Sequence, residues 1–295
     1  MSDMLSSGNH RLDCSKSSIK SVLIVLLFLC PFNIYSQNDS TQWFPSAELY
    51  PLLEYDLLEV QPYSGIFFLE SSEIEYDGVY IPVNIGYRKS FIRWNMLAMQ
   101  FEFAFGAASY TQFEIIKYDQ NTLRGGLINT DFKASGYLFA AKGPHKFRLQ
   151  LFHISSHLGD DYILRNQEYN LNDKSVNYEQ IDLIYLYGFQ NSDLYIGLGQ
   201  VISPNAFRKR FMAQAGFQGG FPLRLKKDLS LGLDMKIYEE NNFQPDFHAG
   251  IGITFIQRDR QQLNVSMDTF YGSLPYSTLD FGRVFWLGPS IKIFL

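Results

Sequence analysis

From Val79 to Leu295 the chain is a succession of short segments in which apolar and polar residues alternate one by one. Val79, Ile81, Val83, Ile85 and Tyr87 oppose Tyr80, Pro82, Asn84 and Gly86, and Leu229, Leu231, Leu233, Met235 and Ile237 oppose Ser230, Gly232, Asp234 and Lys236. A repeat of two is that of a β-strand, whose successive side chains point to opposite faces. The same reading gives strands over 64–70, 97–105, 131–141, 178–189, 194–203, 211–221, 247–255 and 263–271, one through Phe147–His157, and a last one ending at Leu295. The total is about twelve, an even number, as single-chain bacterial barrels have. The expected fold is all-β: a transmembrane antiparallel up-and-down β-barrel of residues 64–295.

The connections support that topology. Short links are expected near Arg93, Pro144, Asn191, Lys227 and Arg258, and long ones over 111–126 and 158–176, the asymmetry of an outer-membrane barrel with short periplasmic turns. The apolar strand faces then meet lipid. The opposite faces put Glu102, Asp131, Lys133, Lys146, Arg148, Asp182, Asp234, Lys236 and His248 in the lumen. Both signs of charge are present there, so pairing is expected to fill the barrel and leave little conductance.

The start of the chain gives an address. Arg11, Lys16 and Lys20 precede an apolar run from Val22 to Phe32, and Ser36 supplies a small residue for cleavage, the pattern of a secretory signal over 1–36. Residues 37–63 are expected as a periplasmic lead-in. Both cysteines, Cys14 and Cys30, belong to the leader, so thiol chemistry and disulfides are not expected afterwards. Leu29 stands where a lipidated cysteine at 30 would need a small residue. With 46% hydrophobic and 16% aromatic residues but no long apolar run after the leader, the composition fits the outer membrane of a Gram-negative bacterium. A net charge of -5 without a basic stripe argues against nucleic acid as a partner. Outer-membrane lipid is the expected partner.

One strand carries chemistry on its apolar face. Phe147, Leu149 and Leu151 share a side that continues into His153, Ser155 and His157. Imidazole is the side chain best suited to take a serine proton near neutral pH. Residues two apart on a strand lie roughly 6–7 Å apart at Cα, within reach of a His153–Ser155 pair. Glu179 is the expected orienting group, because parity places it on the same face of the next strand; Asp161, Asn166 and Glu168 are loop alternatives. Zinc between His153 and His157 would need the strand to bend, since four residues span about 13 Å. Calcium at Asp160 and Asp161 is chemically easier, through hard oxygen ligands. The alternative is that His153 and Ser155 are ordinary residues at headgroup level in a non-enzymatic barrel, porin-like or structural.

The triplet His153-Ile154-Ser155 resembles the outward-facing His-x-Ser pair of outer-membrane phospholipase A, a twelve-stranded barrel, and of lipid A 3-O-deacylase. In both families an Asn follows the serine, and here that position is Ser156. A broader resemblance runs through Leu49-Tyr-Pro-Leu-Leu53, His153-Ile-Ser-Ser-His-Leu-Gly-Asp-Asp161 and Asn177-Tyr-Glu179. These are similar to the hallmarks of a bacterial barrel family of unknown function, which usually has Glu in place of Asp161. The hydrolase resemblance implies an acyl-ester hydrolase acting on phospholipid or lipid A with Ser155 and His153 catalytic; parity adds Glu179, while Ser156, His157, Asp160 and Asp161 are candidate supporting residues, and no metal is expected in the catalytic set.

Overall fold

The computed structural model describes residues 41–71, 78–117, 122–166, 176–204, 208–223, 227–256, 262–275 and 282–294. The expected leader over 1–36, and Glu168 among the candidate site residues, lie outside the described residues. β1 (Gln42–Trp43) is a two-residue strand beside β4 (Gly78–Met96). β2 (Tyr63–Gly65) and β3 (Phe67–Ser71) both pair with β4 and with β14 (Arg283–Phe294), so together they form one stave interrupted at Ile66. The interruption has a cause in β14: Pro289 has no N–H to give the ladder. Its carbonyl accepts Ile66 N–H instead, at 3.0 Å, and a Cβ at neighbouring Gly288 would stand 2.0 Å from Ile66 O.

Each following strand pairs antiparallel with its sequence neighbour: β5 (Met99–Lys117), β6 (Leu123–Lys142), β7 (His145–Leu158), β8 (Asn177–Phe189), β9 (Ser192–Val201), β10 (Phe211–Pro222), β11 (Lys227–Tyr238), β12 (Pro245–Ile256), β13 (Gln262–Ser273) and β14. The β4–β5 pairing closes the ring. With the composite first stave, the result is a closed antiparallel barrel of twelve staves, the fold that the alternation implied.

Two expectations about boundaries need correction. Thr111–Gly126 is not a long loop: β5 and β6 run on through it as a paired ladder, with a bulge between Gln112 and Phe113 that leaves Ile128 out of register. The alternation of Phe113 and Ile115 against Gln112 and Glu114 continues the strand past the span a membrane requires. Arg93 is inside β4, paired with Glu102 across β5. The turn falls instead at Leu97 and Ala98, both with positive φ, 52° and 58°.

The barrel is inside out relative to a soluble protein. Its exposed side chains include Ile85, Tyr87, Phe105, Leu151, Leu183, Ile196, Leu198, Ile251 and Met267, while Arg148, Glu102, Lys133, Asp131, Asp182, Asp234 and Lys236 are buried. Trp94 with Phe101, Phe147 with Tyr185, and Phe189 with Phe217 make ring contacts close to the short turns. That placement is the aromatic girdle of a membrane interface. A heat-modifiable band on unboiled gels and β-dominated circular dichroism in detergent are the expected behaviour; a monomer soluble without detergent would contradict it.

The lumen is occupied by the chain itself. Residues 48–62, expected as part of a periplasmic lead-in, fold among the inward-facing groups, with Tyr50, Leu53, Tyr55 and Val60 nearly inaccessible. Glu59 receives Arg148 Nη1 at 2.5 Å, and Asp56 pairs with Lys236. Leu58 O accepts from Lys133 Nζ at 2.8 Å, Tyr55 O accepts from His248 Nδ1 at 2.7 Å, and Leu52 O accepts from Gln218 Nε2 at 2.9 Å. His248 is thus a buried lumen residue held through Nδ1, with its Nε2 3.4 Å from Asp268 Oδ2. Opposite charges do fill the barrel, but the carboxylates of this plug supply much of the pairing.

Burial alone would raise the Glu59 and Asp56 carboxyls, but Arg148 and Arg88 around the first, and Lys236 and Lys133 around the second, hold both below the usual carboxylate range. A depressed carboxyl contributes stability that is complete above its unfolded value, about 4, and is lost as pH falls through the folded value. The expected outcome is a barrel whose heat-unfolding midpoint is flat near neutrality and drops in acid. Glu59→Gln should shrink the acid-dependent part, measured by band shift across pH.

Candidate functional site

The inward and outward faces of β7 have opposite characters. Phe152 and Ile154 point inward, where they cluster with Val176, Tyr178 and Val201, while His153, Ser155 and His157 face outward with Phe147, Leu149 and Leu151. The ladder sets their neighbours: His153 lies across from Glu179 on β8 and from Ala134 on β6, and Ser155 across from Asn177 and Phe132. The parity argument for Glu179 is therefore realised in the register, and His153 Nδ1 meets Glu179 Oε1 at 2.9 Å. Each of these two side chains is 47% exposed, on a surface otherwise lined by hydrocarbon.

The serine makes a different contact from the expected one. Ser155 Oγ lies 3.0 Å from His157 Nε2, so its hydrogen bond goes to the histidine on the loop side rather than to His153. His157 also packs edge-on against Phe132, with ring centroids 5.8 Å apart. Ser155 thus sits between two imidazoles, one in contact with it and the other held by a carboxylate. The expected partner is His153; His157 lies at the same two-residue spacing on the other side, and the choice between them depends on side-chain rotamers.

Ser156 belongs to the other face. It is 0% exposed, and its hydroxyl donates to Asp131, which also accepts Asn129 Nδ2 at 2.9 Å. The residue standing where the similar lipid hydrolases have Asn therefore points into the lumen. Asn177 is the residue that sequence reasoning did not single out as chemistry: it is exposed and directly across from Ser155. Its signal was present, since Asn177 and Glu179 repeat across β8 the two-residue spacing of Ser155 and His153.

Asp160 and Asp161 open a short helix, α1 (Asp160–Asn166). Asp161 is spent on structure: its Oδ2 accepts the N–H of Leu127 at 3.0 Å, at the bulge of β6, while Gly159 N donates to Ile128 O at 2.7 Å. Asp160 is exposed. Among the described residues no three His, Cys, Asp or Glu side chains converge to hold a metal. Asn166 is the last residue of α1.

The close approach of Gly159 to β6 explains its residue type. A Cβ there would lie 2.2 Å from Leu127 O, so something must move. Gly159→Ala is expected to cost about 1–3 kcal/mol as overpacking and to loosen α1 from the barrel. A lower heat-unfolding midpoint, with Asp160→Ala unchanged as the control, is the measurement.

The model of a family described as "Protein of unknown function (DUF1207)" matches residues 74–283, which include the histidine–serine stretch and Asn177–Glu179 but not the plug. No curated protein matches the sequence. Among solved structures, outer membrane phospholipase A from Escherichia coli is similar at 10% identity and a TM-score of 0.44, covering 80% of this chain and 98% of that one. The outer membrane phospholipase (OMPLA) dimer with bound calcium from Salmonella typhi follows at 11% identity and 0.44, covering 82% and 94%. Pseudomonas aeruginosa OccK10 (OpdN) gives 10% and 0.32, covering 80% and 97%.

Proposed function

Since the chain belongs to the DUF1207 family, which carries no assigned activity, we propose from its own site that it is an acyl-ester hydrolase of the bacterial outer membrane, acting on lipid of the outer leaflet. The observation that carries this reading is Ser155 flanked on one lipid-facing strand by His157, in hydrogen-bond contact at 3.0 Å, and by His153, held by Glu179 at 2.9 Å. A serine activated by an imidazole that a third group orients is the common design of acyl transfer. Finding it on an outward apolar face fits a substrate that reaches the site through the membrane.

In this mechanism Ser155 Oγ attacks the ester carbonyl and its proton passes to an imidazole. The tetrahedral intermediate collapses to an acyl-serine as the alcohol leaves with that proton. Water then attacks the acyl-serine, giving up a proton to the same imidazole; the fatty acid departs and Ser155 is reprotonated. Asn177, across from Ser155, is the amide placed to donate to the oxyanion, a contribution typically of about 10²–10³ in rate. His153 is the base in the reading that uses Glu179, with the Ser155 hydroxyl turning about its Cα–Cβ bond from one imidazole to the other. The second reading, favoured by the existing hydrogen bond, makes His157 the base.

Lipid mass profiles of cells expressing the folded barrel test both. Lyso-lipid or deacylated lipid A should accumulate with the native protein and not with Ser155→Ala. Loss in His153→Ala and Glu179→Gln with retention in His157→Ala selects the first base, and the reverse selects the second. Equal profiles in every variant would leave the non-enzymatic barrel as the standing interpretation.

A further inference from the structure

We infer that the outward surface beside His153 is a seat for one acyl chain of a membrane lipid, formed where three small residues interrupt the otherwise bulky lipid-facing wall. The inference deepens the hydrolase reading, which it supplies with a specificity-determining surface. Ala107 on β5 and Ala134 on β6 are cross-strand partners, and Ala134 is in turn across from His153. With Gly136 they floor a trough of about 630 Å³, walled by Tyr87 and Phe105 on one side and Leu151 on the other. A second depression of about 370 Å³, bounded by Ile85 and Phe132, shares Ala107, Ala134 and His153 with the first and reaches Ser155. The two form one trough with the candidate nucleophile on its edge.

Size and surroundings decide the occupant. Ligand sites typically enclose roughly 300–1,000 Å³ with mainly apolar walls and a few polar groups, and the titratable side chains along the larger trough include Lys89, His153 and Glu179. The trough opens on the face of the barrel that lipid covers, continuous with exposed Ile85, Tyr87, Phe105 and Leu151. Hydrocarbon chains are what that face meets. An ordinary gap between bulky residues would leave the same shape, and one exists: about 410 Å³ between Phe147, Tyr185, Ile196 and Ala215. No histidine or carboxylate lines it, and it serves as the internal control.

Gly136 gives a clean way to fill the trough. A Cβ there meets nothing within 4 Å, so a side chain at this position starts into open space between Phe105 and Leu151. The experiment uses the full-length barrel in phosphatidylcholine bilayers doped with a phosphatidylcholine that carries a diazirine near the end of one acyl chain. Crosslinks are expected to concentrate on Tyr87, Phe105 and Leu151 in both the native protein and Ser155→Ala. Gly136→Leu should reduce them at least fivefold, while Ala249→Leu, on the far side of the ring, leaves them unchanged. Crosslinks spread evenly around the barrel, or undiminished by Gly136→Leu in a heat-modifiable barrel, would overturn the inference. Concentrated crosslinks with identical lipid products from native protein and Ser155→Ala would instead remove the hydrolase reading and keep the seat.

Discussion

Replacing Ser155 by alanine is expected to cut lipid deacylation by about 10³-fold or more, the scale on which loss of one member of a catalytic unit acts, while leaving the barrel intact. Ser155 is only partly buried, and its one hydrogen bond goes to an exposed histidine. Losing it should change stability by no more than about 0.5 kcal/mol, as for most surface positions. The neighbouring serine supplies the contrasting case. Ser156 is fully buried and bonded to Asp131 in a lumen network with Asn129. Ser156→Ala removes a donor from a buried carboxylate, which typically costs about 1–3 kcal/mol, yet the side chain has no route to the outward face. The pair should therefore separate cleanly: one substitution silent in heat modification and deacylation-dead, the other less stable and active. If Ser156→Ala lost activity at undiminished stability while Ser155→Ala kept it, the site would be on the wrong face of β7.

The two faces were legible because period 2 is preserved through nearly every strand, so that parity alone put Glu179 beside His153 across a loop of unknown shape. Parity could not say which histidine the Ser155 hydroxyl would choose, since His153 and His157 are equivalent by spacing and differ only in what lies across the ladder and in rotamer. The 111–126 stretch differs for another reason: about 9–11 residues suffice to cross the apolar band, and β5 with β6 continues as a paired ladder beyond that length. The plug was the larger omission. Leu49 to Pro62 carries two prolines and three acids among eight apolar or aromatic residues, without the alternation of a strand, so period 2 gave it no place in the barrel wall. Its burial comes from partners 89 and 180 residues away, Arg148 for Glu59 and Lys236 for Asp56. Charge of both signs on the inward faces was visible in the sequence; that Arg148 and Lys236 would pair with Glu59 and Asp56 from the segment before the first strand was not.

Arg148→Ala is expected to be the most destabilising single change in the lumen, by about 3–5 kcal/mol, because it leaves the Glu59 carboxylate buried without its main partner. Arg88 stands 3.9 Å from the other oxygen of Glu59 and is itself engaged by Glu48 and the carbonyl of Tyr50, so it offers little substitute. The Arg148 guanidinium also lies over the Tyr50 ring at 5.5 Å, so the truncation removes packing as well as charge. A plug held this way should loosen before the barrel unfolds, since the ring of staves is closed by main-chain pairing that does not pass through residues 48–62. Planar-bilayer recordings should then show little steady conductance for the native protein and frequent openings for Arg148→Ala. Replacing the pair together, Glu59→Met with Arg148→Met, separates charge from volume: a buried ion pair exchanged for apolar side chains of similar size is often neutral or better. The double variant should recover most of the lost stability in urea titrations and close the channel again. Single variants within about 1 kcal/mol of the native barrel, with conductance unchanged, would mean that the apolar contacts of Tyr50, Leu53 and Val60 hold the plug and the ion pairs are incidental to it.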